Sequence, residues 1–215
     1  AQLLESKTGN YLSAISANET SIGFAFADLS TGEFGVFQWD GKERWSLLAD
    51  EWADLEPKEL LLPDDMNEDL YKFKNVGAVW ENEKLLISRQ PSRNFDPKVG
   101  VRTLKSGFGL GSLDGLGLDQ VPVGTGAASA LYVFLKNSQG DRLGHLRPPC
   151  AVSSEESVLL DSATLRNLEI LRAGPEGERN GTLLQVLDQT MTPMGGRMLR
   201  DWLLHPLVQE KLIRD

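Results

Sequence analysis

Ile22, Phe24 and Phe26 alternate with Gly23, Ala25 and Ala27, so a strand through them carries large side chains on one face and small ones on the other, both suited to being covered. Asp28-Leu29-Ser30-Thr31-Gly32 supplies turn residues, and Phe34 with Val36 resumes the alternation. Ser21 to Phe37 is therefore predicted to be a hairpin, with Tyr11 to Ile15 as a neighbouring strand. Trp45, Leu48, Trp52 and Leu55 then recur at helical spacing as far as Pro57, which has no amide hydrogen to continue a helix. Leu60 to Leu62 is a short apolar run closed by Pro63-Asp64-Asp65. A second helical pattern passes through Leu70 and Phe73, and Leu85 to Ile87 repeats the strand signal. Asp96-Pro97 provides an N-cap followed by proline at the first helical position, and the helix it opens is expected to bury Val101, Leu104 and Phe108. Gly107 to Gly117 reads as a loop, and Val123 to Asn137 as a helix with Leu131, Phe134 and Leu135 on its apolar side.

Strands alternating with helices after an antiparallel hairpin predict an α/β domain with a mixed sheet and flanking helices, in a ribonuclease-H-like arrangement. Arg147-Pro148-Pro149 breaks regular structure, and beyond it the spacing is helical. The expected division is residues 1–146 for the α/β domain and 147–215 for a mainly α-helical partial core. Within the latter, Asp161 is placed to cap a helix bearing Leu165, Leu168 and Leu171 on one face and ending near Ala173-Gly174-Pro175. Thr182 and Gln185 fit a capping box for a short helix through Leu187, and Thr192-Pro193 opens another that Pro206 stops. In that last helix Met194, Met198 and Trp202 are four apart, with Leu199 and Leu203 alongside, so it needs a surface to cover it. Gly195 and Gly196, each costing ~1 kcal/mol against alanine in a helix, suggest the close approach of another backbone.

Composition narrows the classes. The 215 residues are enough for one ordinary domain plus part of another, and 40% hydrophobic with 25% charged residues is typical of a soluble globular chain. The 31 acidic against 22 basic side chains give a net charge of -9, the opposite of the lysine and arginine excess with which autonomous DNA binders neutralise phosphates. Cys150 is the only cysteine, which excludes an internal disulfide and a cysteine metal cluster and fits a reducing, cytoplasmic setting. Apolar runs such as Leu131 to Leu135 fall far short of the ~20 residues that cross a bilayer, and Ala1 to Lys7 lacks the features of a secretory signal.

Candidate chemistry is sparse. Gly124-Thr125-Gly126-Ala127-Ala128-Ser129 imitates a dinucleotide loop, but serine stands at the third glycine position and no acidic residue follows at the required distance, so a plain helix start is expected. Asp28 and Asp64 or Asp65 end predicted strands, and a ribonuclease-H-like nuclease would gather such carboxylates around two Mg²⁺ ions. Those ions require several oxygen ligands converging within about 4 Å, and no further strand-end carboxylate offers itself, which leaves Asp28 a turn-forming role. His145 and His205 are the only histidines, and His205 is placed for a favourable charge at a helix C-terminus. No G-x-x-x-x-G-K-[ST] phosphate loop is present. Lys98, Arg102 and Lys105, at spacings of four and three, form a basic stripe that suits a solvated face, an acidic partner or a DNA backbone. Arg197 and Arg200 are expected to form structural ion pairs.

Four blocks, NYLSAI (Asn10 to Ile15), GFAFADLSTGEF (Gly23 to Phe34), LDSATLRNLEI (Leu160 to Ile170) and GTLLQVLDQTMTPMGGRMLRDWLLHPL (Gly181 to Leu207), resemble the MutS family of DNA mismatch-repair proteins, in the family's order. The resemblance implies an interior piece of such a protein: a ribonuclease-H-like connector domain followed by the start of the helical core or lever domain. It implies that the piece is non-catalytic and without its own cofactor, because the mismatch-wedging Phe-x-Glu segment and the ATPase that uses ATP and Mg²⁺ belong to other domains, and neither Phe-x-Glu nor a phosphate loop occurs here. The implied partners are other MutS domains, a second MutS subunit, mismatched DNA through the parent protein, and the downstream repair protein MutL. Counted back from Phe108-Gly109, Arg102 and Thr103 match the implicated part of the connector, so Lys98, Arg102, Thr103 and Lys105 are the expected MutL-docking residues. A nuclease, or a MutS-like paralogue acting in recombination, is the alternative.

Overall fold

Strand β1 (Tyr11–Ala17), β2 (Ser21–Asp28) and β3 (Glu33–Asp40) form an antiparallel meander in the computed structural model, which describes residues 11–66, 85–152, 162–174, 178, 180–204, 206–208, 210 and 213. The alternation read from the sequence has a direct structural meaning: all eight residues of β2 are buried. Ile22, Phe24 and Phe26 enter one core with Ile15, Phe37, Leu48, Trp52, Leu60 and Leu62. Ala25 and Ala27 enter a second core on the other face, with Ala14, Val36, Leu61, Leu104, Leu131 and Leu135.

Each face takes the kind of helix its side chains permit. Helix α1 (Arg44–Leu55) meets the large-residue face through Leu48 and Trp52, and the Trp52 and Phe24 rings lie 6.0 Å apart. It stops at Glu56, whose left-handed backbone (φ 47°) returns its N–H to the Trp52 carbonyl just before Pro57. Strand β4 (Glu59–Pro63) then pairs parallel with β1, and β5 (Leu86–Gln90) parallel with β4. A 3₁₀ turn, Ser92–Phe95, leads into α2 (Pro97–Phe108); a further turn, Asp114–Leu116, precedes α3 (Pro122–Gln139).

Helix α3 lies on the small-residue face almost at backbone contact. A Cβ on Gly23 would fall 2.3 Å from the Gly124 nitrogen, and one on Gly124 would fall 2.6 Å from Val36 Cγ1. The first half of α3 is consequently buried all round, from Val123 to Tyr132, and not along the Leu131, Phe134, Leu135 stripe alone; Phe134 is only half-buried. The loop expected from Gly107 begins at Gly109, because α2 continues through Gly107, whose missing side chain accommodates the Tyr132 ring. After the 3₁₀ turn Gly140–His145, a short strand β6 (Cys150–Ala151) adds to β3 in parallel, a strand the sequence pattern did not reveal. The sheet order among the described residues is β5-β4-β1-β2-β3-β6.

The chain divides into two compact units, one spanning Asn10–Val152 and holding this sheet, the other containing Ser153–Asp215. In the second, α4 (Ser162–Asn167), α5 (Leu183–Leu187) and α6 (Pro193–Leu204) contribute to a small core of Leu165, Ile170 and Leu204, with Leu171 and Leu203 packed beside it. Helix α4 ends well before Ala173, and Leu168 is exposed instead of sharing a face with Leu165 and Leu171. The cause is Glu169, whose backbone turns left-handed (φ 50°) while its carboxylate accepts the Gly174 N–H at 3.0 Å. Thr182 caps α5 by accepting the Gln185 N–H at 3.1 Å, while the Gln185 side chain takes the N–H of Gly181. Thr192 similarly accepts the Gly195 N–H at 3.1 Å. What crowds Gly195 is the chain's own turn, the Thr190 and Thr192 side chains at 3.2 Å, and not the backbone of another helix. Met194, Met198 and Trp202 are exposed, as their spacing on an uncovered helix predicts. The helical pattern at Leu70 and Phe73, the cap at Asp161 and His205 lie outside the described residues. Among those described, no helix is long and apolar enough to cross a membrane.

Candidate functional site

Helix α2 is fixed at both ends by its own sequence. Asp96 Oδ1 accepts the N–H groups of Lys98 (2.7 Å) and Val99 (3.3 Å), and Pro97 occupies the first turn, where a missing N–H costs nothing. At the far end Gly109 is left-handed (φ 65°), and the Gly109 and Leu110 N–H groups both return to the Lys105 carbonyl.

Its rotation is set by a glycine. Gly100 and Leu104 are buried, and a Cβ on Gly100 would fall 2.9 Å from the Thr125 carbonyl of α3, so α2 rests on α3 through this point. Val101, expected on the buried side with Leu104 and Phe108, is exposed instead: apolarity was a poorer guide to the packed face than the gap left by Gly100. With Gly100, Leu104 and Gly107 inward, Lys98, Arg102 and Ser106 face outward and are exposed, while Thr103 and Lys105 are half-buried on the flanks. None of the Lys98, Arg102 or Lys105 side chains forms a hydrogen bond or ion pair with the described residues. The helix carries three cations and no carboxylate. On the opposite face of the sheet, α1 and its ends carry Glu43, Asp50, Glu51, Asp54 and Glu56 against the single cation Arg44, so acidic residues predominate on α1 as cations do on α2.

The carboxylates proposed for nuclease chemistry are not brought together. Asp28 pairs with Tyr11 at one end of the central strands, and Leu12 pairs with Glu59 at the start of β4, whereas Asp64 and Asp65 follow the end of β4. At about 3.3 Å per residue they stand roughly 20 Å apart along the strand direction, far beyond the spacing of a shared two-metal centre. Each instead shapes a turn. Asp28 accepts the Ser30 N–H (2.7 Å) and hydroxyl (2.5 Å). Asp64 accepts the Ser92 hydroxyl (2.6 Å) and N–H (3.0 Å), the same hydroxyl lies against Asp65, and these bonds hold the Asp64 carboxyl below its ordinary range, the Ser92 hydroxyl foremost.

The glycine-rich start of α3 is a packing device. Gln38 Oε1, from β3, accepts the Val123 (2.8 Å) and Gly124 (3.3 Å) N–H groups that a phosphate would otherwise seek, and a Cβ on Gly126 would fall 2.1 Å from the Phe95 carbonyl. Nothing in the sequence signals Gln38 as a cap, since its partners lie more than eighty residues away. The His145 ring bonds the Leu29 carbonyl and ties the 3₁₀ turn to the β2–β3 connection. Arg197 and Arg200 are half-buried in α6. Among the described residues no cluster of histidine, cysteine, aspartate and glutamate could hold a metal ion.

The chain matches two family descriptions in tandem, MutS domain II over residues 10–147 and MutS domain III over residues 163–215. It is 35% identical over 212 residues to the DNA mismatch repair protein MutS of Symbiobacterium thermophilum, which covers 99% of this chain and 24% of the relative. It is 37% identical over 206 residues to that of Pelotomaculum thermopropionicum (95% and 23%), and 35% identical over 202 residues to that of Methanococcoides burtonii (94% and 22%). The chain thus spans about a quarter of the length of these relatives.

Proposed function

The chain belongs to the MutS family, and from that premise we propose that it is a non-catalytic connector of a mismatch-repair protein, passing mismatch and ATP state between distant domains and offering a docking surface to MutL. The observation that carries this reading is the open side of α2, where Lys98 and Arg102 are exposed, Thr103 and Lys105 lie half-buried on the flanks, and none of the three cations has an ionic partner among the described residues. Free cations on a chain of net charge -9 are a local feature, and at physiological ionic strength only a surface within about 8 Å senses them.

The strand order β3-β2-β1-β4-β5 with only β2 reversed supports a ribonuclease-H-like ancestry for the first unit. On this reading the residues beyond Val152, later than the expected edge at 146, begin the helical core or lever domain. Mismatched DNA, ATP with Mg²⁺ and the second MutS subunit are engaged by parts of the parent protein other than this connector, in the cytoplasm. Fold likeness supplies no nuclease activity.

Charge reversal tests the docking face. Arg102→Glu with Lys105→Glu is expected to lower MutL binding at least tenfold by surface plasmon resonance, with the circular dichroism spectrum unchanged. Binding that stays within twofold removes the proposal.

A further inference from the structure

The outward face of α2 is not uniformly polar. Val99 is 38% and Val101 39% exposed, and the helical repeat places them on opposite flanks of the ridge formed by Lys98 and Arg102. A helix face meant only for water gains nothing from two β-branched residues, which are poorer helix formers than alanine, lysine or glutamate. Resting on the docking reading above, we propose that the two valines form the affinity-bearing part of the α2 interface. The partner segment then has a carboxylate floor between two apolar walls, with α2 lying lengthwise in the groove so that the cations meet the floor and one valine meets each wall.

Duplex DNA fits this face poorly, because its phosphates would pair with the cations but offer nothing to the valines. An acidic protein surface meets both features locally. The two kinds of residue then divide the work: the exposed cations steer approach and set the association rate, whereas burial of the valines sets how long the complex lasts. Twelve residues of helix are about 18 Å long, less than a standard interface requires, so this contact is weak by itself and suits a transient encounter.

The test uses the 215-residue chain, immobilised MutL as the probe, and a 20-base-pair duplex in parallel. Val99→Ala with Val101→Ala, which raises helix propensity and so preserves the fold, is expected to raise the dissociation rate about tenfold and leave the association rate within twofold. Arg102→Glu with Lys105→Glu is expected to lower the association rate about tenfold and flatten its salt dependence. If charge reversal weakens MutL binding while the alanine pair is silent, the valine assignment fails and the docking reading stands. If both pairs are silent, the docking reading fails and takes this inference with it. Retention by the duplex that depends on Arg102 and Lys105 but not on the valines also overturns it.

Discussion

Gly126 shows how much of this fold depends on atoms that are absent. Its Cβ would fall 2.1 Å from the Phe95 carbonyl oxygen, so α3 and the Ser92–Phe95 turn would have to move apart to admit it. Gly126→Ala is therefore expected to destabilise the protein by about 2–3 kcal/mol in urea unfolding. Gly111→Ala, with nothing within 4 Å of its Cβ, should stay within about 0.5 kcal/mol. Such positions mark the limit of what single residues disclose: Gly100 turned α2 so that Val101 faces outward, and no property of Val101 itself carries that information. Local chemistry was legible where both partners lie close in sequence, as with Asp96 capping α2 and Asp28 serving Ser30. The Ser92 clasp on Asp64 spans 28 residues and was not. That clasp depresses the Asp64 carboxyl, so its contribution to stability is complete above the ordinary value of 3.8 and is lost as pH falls through the lower folded value. Ser92→Ala should raise the Asp64 midpoint toward 3.8 in a carboxyl-carbon NMR titration. A midpoint that does not move would place the cause elsewhere.

The three strands of the meander, α1 and α3 formed where their sequence periods predicted, and β2 with its two unlike faces determines which helix can lie on each. Large side chains opposite α1 and small ones opposite α3 are both visible in the alternation of Ile22 to Ala27. What the alternation cannot show is the distance at which a helix settles, or how its exposed amides are served. Gln38 does this for α3 from the adjacent strand. Gln38→Met keeps the side chain's length and removes the acceptor, and is expected to cost about 1–2 kcal/mol by thermal melting, with the sheet intact. A loss below about 0.3 kcal/mol would mean that water serves these amides as well as Gln38 does. Helix α4 is the converse case: Leu165, Leu168 and Leu171 have helical spacing, yet Glu169 takes a left-handed backbone and Ile170 fills the core instead. Hydrophobic period predicts a face only while the backbone remains helical.

At the scale of the molecule, the two units differ in how much apolar surface each encloses. The unit Asn10–Val152 has a core on each side of its sheet, whereas the described core of the other consists of Leu165, Ile170 and Leu204 with two half-buried leucines, and Met194, Met198 and Trp202 are left open. A piece spanning residues 10–152 is accordingly expected to unfold cooperatively by itself, while residues 153–215 alone should lack a sharp thermal transition and bind a hydrophobic dye. The expected domain edge at 146 and the end of the compact unit at Val152 differ by strand β6, which pairs Cys150 and Ala151 with Gly35 and Val36. Ending the piece at 146 removes that pairing, together with the bond from the Val152 N–H to the Val36 carbonyl, and leaves β3 as an open edge. The shorter piece should be less stable by about 1–2 kcal/mol and more prone to associate, as read by urea unfolding and light scattering. Equal stability of the two pieces would show that β6 adds nothing to the sheet and that the domain ends, energetically, before it.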